Sequence, residues 1–118
     1  MEKVLAPKSY RFALQIIGLY KLLTTERKEF VLSKQVLRSG TSVGAMIREA
    51  EHAQSKADFL NKMNVALKEI NETEYWLMLL KDGSYLNEDE FNSIHADCDE
   101  IIRMLVSTVK TLKTSLNK

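Results

Sequence analysis

Glu49 and His52 are three residues apart, the spacing that sets a carboxylate and an imidazole on one helix face. Di-iron bundles use two such units plus a Glu from each of the other two helices. A second unit is missing here, because His95 follows Asn92 rather than a Glu at that spacing. Glu69 and Glu72 could add oxygens, but the first helix offers only Glu26 near its end. An exposed helix face is the plainer reading, and a metal-dependent bundle enzyme is the outside alternative. Nucleophilic chemistry is also poorly supplied, with two His and a single Cys, Cys98, in the chain. No cofactor and no enzymatic activity are expected.

Gly40 and Gly44 form a GxxxG within SGTSVGA. Each glycine inside a helix costs about 1 kcal/mol relative to Ala, so close approach of a neighbouring helix backbone should offset it. A phosphate-binding loop fails on spacing, since no Gly-Lys-Ser/Thr follows and no strand precedes.

Helices must position these residues. Four Gly and one Pro leave little room for a turn-rich β architecture. Apolar periodicity predicts an all-α, antiparallel up-down-up-down four-helix bundle, one domain over residues 1–118, with helices near 7–25, 33–53, 56–82 and 88–116. Pro7 suits a first helical turn. Phe12, Ala13, Ile16, Ile17, Tyr20 and Leu23 then mark a buried face. Ser33 is the expected N-cap of the second helix. Ser55 with Asp58, and Asn87 with Glu90, read as capping boxes for the third and fourth. Gly83 stands where a left-handed residue would end the third helix. The fourth carries the cleanest stripe, from Phe91 through Ile94, Cys98, Ile101, Ile102, Leu105, Val109 and Leu112 to Leu116. Acids crowd its first turn and bases its second half, as the macrodipole favours.

At 118 residues, with 45% hydrophobic and 28% charged residues, the chain is one soluble domain's worth. A lone cysteine points to a reducing compartment. No apolar run resembles a signal peptide or spans a bilayer, so a cytoplasmic location is expected. The net charge of +1 conceals a division: residues 1–48 hold nine Lys/Arg against three acids, and residues 49–118 hold eight against thirteen. Basic and acidic halves can attract each other within or between subunits, or the basic half can face an anionic partner. Candidate contacts to nucleic acid are Lys8, Arg11, Lys21, Arg27, Lys28 and Lys34, with Lys3, Arg38 and Arg48 in the same half.

The segment ETEYWLMLL bears on assembly. Leu77 and Leu80 fall on the core stripe, while Trp76 turns about 100° away and Tyr75 and Leu79 lie nearer the opposite side. Tyr75, Trp76 and Leu79 are therefore candidates for a subunit interface, where Trp and Tyr are enriched. A hairpin turning near Gln54 sets Arg38 opposite Ile70, within reach of Glu69 or Glu72 as an ion pair joining the two halves.

The run LRSGTSVGAMIREAEHAQSKADFLNKMNVALKEINETEYWLMLL resembles the 23S ribosomal RNA intervening-sequence proteins. The matching elements are LRSGTSVGA, the IREA step, SKADF and ALKEINETEYWL, with the first and fourth helices matching more loosely. The resemblance implies an antiparallel four-helix bundle assembling into a ring, commonly a pentamer, without an established molecular function. The chain is also similar to the accessory variability proteins of diversity-generating retroelements, pentameric bundles that bind nucleic acid, but it is nearly neutral where those are strongly basic. The sequence thus supports a non-enzymatic oligomeric binding or scaffolding protein contacting RNA or DNA through its basic half. The alternative is a purely structural or protein-binding ring.

Overall fold

The computed structural model describes the backbone of residues 2–117 and the side chains of residues 4–117. Lys3 and Lys118 therefore lie outside the described side chains. Four helices follow in order: α1 (Glu2–Thr25), α2 (Leu32–Ala50), α3 (Lys56–Asp82) and α4 (Glu88–Leu116). No strand occurs among the described residues.

Contacts between helices fix their directions. On α1 and α2, Gly40 faces Ile16 and Gly44 faces Ser9. Between α2 and α3, Arg38 meets Glu69 and Glu72 while Glu49 meets Lys62. Across α3 and α4, Ile70 faces Cys98 and Glu74 faces His95. Across α4 and α1, Lys8 meets Glu100 and Gln15 meets Asp97. In each pair the residue number rises on one helix as it falls on the other, so all four neighbours are antiparallel. The helices α1 and α3 are diagonal, their backbones separated by the shared core. The bundle is a rod of 51 × 21 × 21 Å.

One core runs the length of this rod. Leu5, Phe12, Ile16 and Leu23 of α1 meet Val36, Val43 and Ile47 of α2, Ile70, Leu77 and Leu80 of α3, and Ile101 and Leu105 of α4, all at most 2% exposed. Fully burying each such side chain contributes about 1.5–3 kcal/mol. Where α2 and α3 approach closely the core turns polar: Thr73 Oγ1 lies 2.8 Å from both Ser39 Oγ and the Glu69 carbonyl oxygen. Small side chains permit the approach, and the shared hydrogen bonds prevent a desolvation penalty.

Several local expectations change. Helix α1 starts at Glu2, not Pro7, and Pro7 lies inside it; burial of Leu5 stabilises the added turn. Ser33 is not the cap of α2. It is a buried helical residue, and the N-cap position, Val31, has no side-chain capping bond. The end of α2 also falls short of residue 53. After Ala50 the amides of Glu51, His52 and Ala53 bond back three residues, tightening the chain into turns. At α3, Ser55 Oγ accepts from Asp58 N at 3.0 Å, but Asp58 accepts from Gln54 N, one residue before the cap. Gly83 is not left-handed, with φ −82°. Ser84 takes that role at φ 70°, and the amides of Ser84 and Tyr85 bond to the carbonyls of Lys81 and Leu80. Asn87 and Glu90 do form a complete capping box. Ile17 and Leu116 of the expected stripes are exposed.

Candidate functional site

The basic half does not present one uniform surface. Lys8 lies 2.6 Å from Glu100 across the α1–α4 seam, where Gln15 also donates to Asp97 at 2.9 Å. Arg27 is engaged more firmly. Its two terminal nitrogens donate to Glu90 Oε1 and Oε2 at 2.6 and 2.7 Å, and Nη1 also donates to the Tyr85 carbonyl at 2.7 Å. The Arg27 guanidinium and the Asn87 amide together hold the Glu90 carboxyl down at about 2, against an ordinary value of 4.5. Arg38 donates to Glu69 at 3.1 Å and to Glu72. Burial lowers its pKa, but the hydrogen bond and charge of Glu69, joined by Glu72, leave it raised on balance.

Arg11, Lys21, Lys28 and Lys34 remain exposed, and no ion pair among the described residues engages them. The register that sets Gly40 against Ile16 and Gly44 against Ser9 places Lys21 level with Lys34 on the neighbouring helix. Lys28 stands in the loop joining those helices, held at φ 56°. Lys21, Lys28 and Lys34 thus share one end of the α1–α2 hairpin. Arg48 is exposed toward its other end.

That loop owes its shape to Glu29, a residue the sequence reading passed over. Its buried carboxylate accepts from the amides of Val31, Leu32 and Ser33 at 3.3, 3.0 and 2.6 Å. It therefore supplies the cap that Ser33 was expected to provide, and a negative charge where the helix dipole favours one. No local S-x-x-E signature encodes it.

Tyr75, Met78 and Leu79 stand on the outer face of α3, at 55%, 48% and 36% exposure. Trp76 is placed differently from Tyr75 and Leu79: it is half-buried against the core on the side toward α2. Its indole nitrogen donates to Glu72 Oε1 at 3.3 Å, and its ring meets that of Tyr75 edge-on at 5.2 Å. Met78 joins the outer patch, which the sequence reading had not included.

Gly40 and Gly44 differ in what they permit. A Cβ at Gly40 would sit 2.7 Å from Ile16 Cγ1, whereas at Gly44 the nearest atom, Ser9 O, is 3.4 Å away. Glu49 and His52 do not share a helix face, because α2 ends at Ala50. Glu49 instead lies 3.6 Å from Lys62, and no group of three or more His, Cys, Asp or Glu side chains gathers among the described residues in a way that could hold a metal ion. Cys98 packs inside, its thiol pushed up to about 12 by burial and the nearby Glu74 and Asp99 charges. It has no thiolate character to act with. No described helix is long and apolar enough to cross a membrane.

Comparison with known proteins points one way. The family model described as 23S rRNA-intervening sequence protein matches residues 3–107. A solved structure, a protein of unknown function from the S23 ribosomal protein family of Bacteroides thetaiotaomicron VPI-5482, is 57% identical, with a TM-score of 0.91. The match covers 92% of this chain and 97% of that one. No curated protein matches.

Proposed function

The chain belongs to the 23S rRNA-intervening sequence protein family, and from that premise we propose a non-enzymatic, oligomeric four-helix bundle that binds RNA or another nucleic acid. The observation that carries this reading is the set of exposed bases at the α1–α2 turn: among the described residues Lys21, Lys28 and Lys34 meet no acidic partner, while Lys8, Arg27 and Arg38 do. Arg11 and Arg48 extend the same hairpin. Few aromatics flank these bases, so the contact is to phosphates rather than to base faces.

Binding of structured RNA followed across a salt series tests this. Each lysine that neutralises a phosphate contributes about 0.7–0.9 to the log–log slope. Replacing Lys21, Lys28 and Lys34 with Gln should flatten the slope by about 2 and weaken binding at low salt. Affinity indifferent to salt, or unchanged in the triple variant, overturns the reading.

A second reading, a structural or protein-binding ring without nucleic acid, draws on the outer α3 patch of Tyr75, Met78 and Leu79. Light scattering at low and high salt separates charge-driven from apolar assembly. Dissociation in high salt would favour the former.

A further inference from the structure

We propose that Phe30 stacks on an unpaired base, so that the α1–α2 turn takes single-stranded segments of nucleic acid in preference to duplex. This rests on the nucleic-acid reading above and names the class of strand bound. Phe30 and Val31 form the tip of the turn, at 53% and 71% exposure. Lys28 lies two residues before the ring and Lys34 four residues after it, both exposed. Aromatics are scarce in the basic half, and Phe30 is the one set between two lysines that meet no acidic partner among the described residues.

The turn holds this ring outward. Lys28 adopts φ 56°, and the Glu29 amide donates to the Leu23 carbonyl at 2.9 Å. The buried Glu29 carboxylate accepts from the amides of Val31, Leu32 and Ser33. Backbone on both sides of Phe30 is thereby fixed, and a ring with two torsions has little freedom to lose on binding. The same bonds occupy the amides at the start of α2, which leaves phosphates to the lysines.

The two residue types read different parts of a strand. Lys21, Lys28 and Lys34 neutralise phosphates whether or not the bases are paired. A ring reaches a base face only where the strand is unstacked, because neighbours cover each face inside a duplex. Duplex therefore meets the lysines alone, while an unpaired segment meets the lysines and Phe30. Acids at this end of the bundle restrict the path. Glu26 is exposed at the start of the turn, and exposed Asp82, Glu88 and Asp89 border the α3–α4 turn, to which Arg27 is tied through the Tyr85 carbonyl. An anionic strand thus runs by Lys28, Phe30 and Lys34 and away from the α3–α4 turn. A lipid surface is the competing partner for an apolar tip among lysines. Two side chains offer it little, since membrane binding draws on a whole apolar helix face or a covalent chain.

Fluorescence anisotropy with a short unstructured RNA, and with the same strand annealed to its complement, tests the proposal. Phe30→Ala should weaken single-strand binding about 5- to 150-fold, the loss of one stacked base, and change duplex binding by no more than about twofold. Its salt slope should match that of wild type, since no charge is removed. Phe30→Leu, apolar but without a ring, should lose affinity as Phe30→Ala does. Phe30→Trp should keep affinity, and the single strand should quench its emission beyond any change seen for Trp76 in the wild type.

An unweakened Phe30→Ala, an equal loss on both probes, or full affinity in Phe30→Leu overturns the proposal and leaves the salt-dependent lysine contacts standing. A wild type that binds neither probe overturns both readings. Capture by phosphatidylserine vesicles that Phe30→Ala abolishes would assign the tip to lipid and overturn the proposal. A mass altered by Phe30→Ala on ultracentrifugation would assign it to a contact between copies, with the same result. Circular dichroism checks folding. Should Phe30→Ala unfold, the Phe30→Trp emission decides alone, and absence of quenching overturns the proposal.

Discussion

Arg27 and Glu90 meet fork to fork, with two N–H···O bonds of 2.6 and 2.7 Å, where the loop after α1 crosses the start of α4. The same Glu90 carboxylate accepts from Asn87 N at 2.9 Å, so one side chain caps α4 and ties it to α1. The α1–α4 seam has fewer close approaches than the other three, which gives such polar ties more of the work.

Replacing Arg27 with Ala should therefore cost about 1–2 kcal/mol, more than an ordinary surface pair. The cost should depend on pH. Glu90 has a folded value of about 2, below its ordinary 4.5. Its contribution is thus fully present above about 4.5 and is lost as pH falls toward 2. Urea unfolding of wild type and Glu90→Gln should show a stability gap at pH 7 that narrows through this window. A gap that stays constant would show that the fork contributes little.

The two glycines of the GxxxG should behave oppositely. At Gly40 an added methyl meets Ile16 Cγ1 at 2.7 Å, and Ile16 is wholly buried and stiff at its branch. The gain of about 1 kcal/mol in helix propensity is then outweighed, and Gly40→Ala should destabilise by about 1–2 kcal/mol. At Gly44 the nearest atom is 3.4 Å away, an ordinary contact. Gly44→Ala should be neutral or stabilising by up to about 1 kcal/mol. Thermal melts of the two variants suffice, and equal effects would refute the distinction.

Glu29 makes a third prediction. Glu29→Ala removes the acceptor for three amides at the start of α2 and should cost about 2 kcal/mol. Glu29→Gln keeps one acceptor oxygen and should cost less. Hydrogen exchange should speed up first at Leu32 and Ser33. Unchanged protection there would mean that the amides find another partner.

These cases separate what local sequence encodes from what it does not. The α4 cap was legible because both halves, Asn87 and Glu90, lie within one turn. Arg38 could be set against Glu69 and Glu72 because α2 and α3 are joined by a short loop, which fixes the register by counting. The Arg27–Glu90 tie was not legible, since 63 residues and two helices separate the partners. The α2 cap was missed because Glu29 reaches it only through the left-handed turn at Lys28. The basic half had the same problem: composition gives its charge, but only the antiparallel register shows which bases are already paired.

Arg38 provides the last prediction. Its guanidinium is about half exposed, and its two carboxylate partners lie on consecutive α3 turns. A pair so open to solvent contributes little alone, so Arg38→Ala should cost no more than about 1 kcal/mol. The consequence at Glu72 is more specific. That carboxylate also accepts from the Trp76 indole at 3.3 Å. Without Arg38, Glu72 is free to rotate toward water and release the indole N–H. Trp76 is the chain's one tryptophan, so its fluorescence reports the change directly. Arg38→Ala should shift the emission maximum, while Arg38→Lys, which keeps a cation near Glu72, should shift it less. An emission spectrum identical in all three proteins would show that Arg38 does not position the indole.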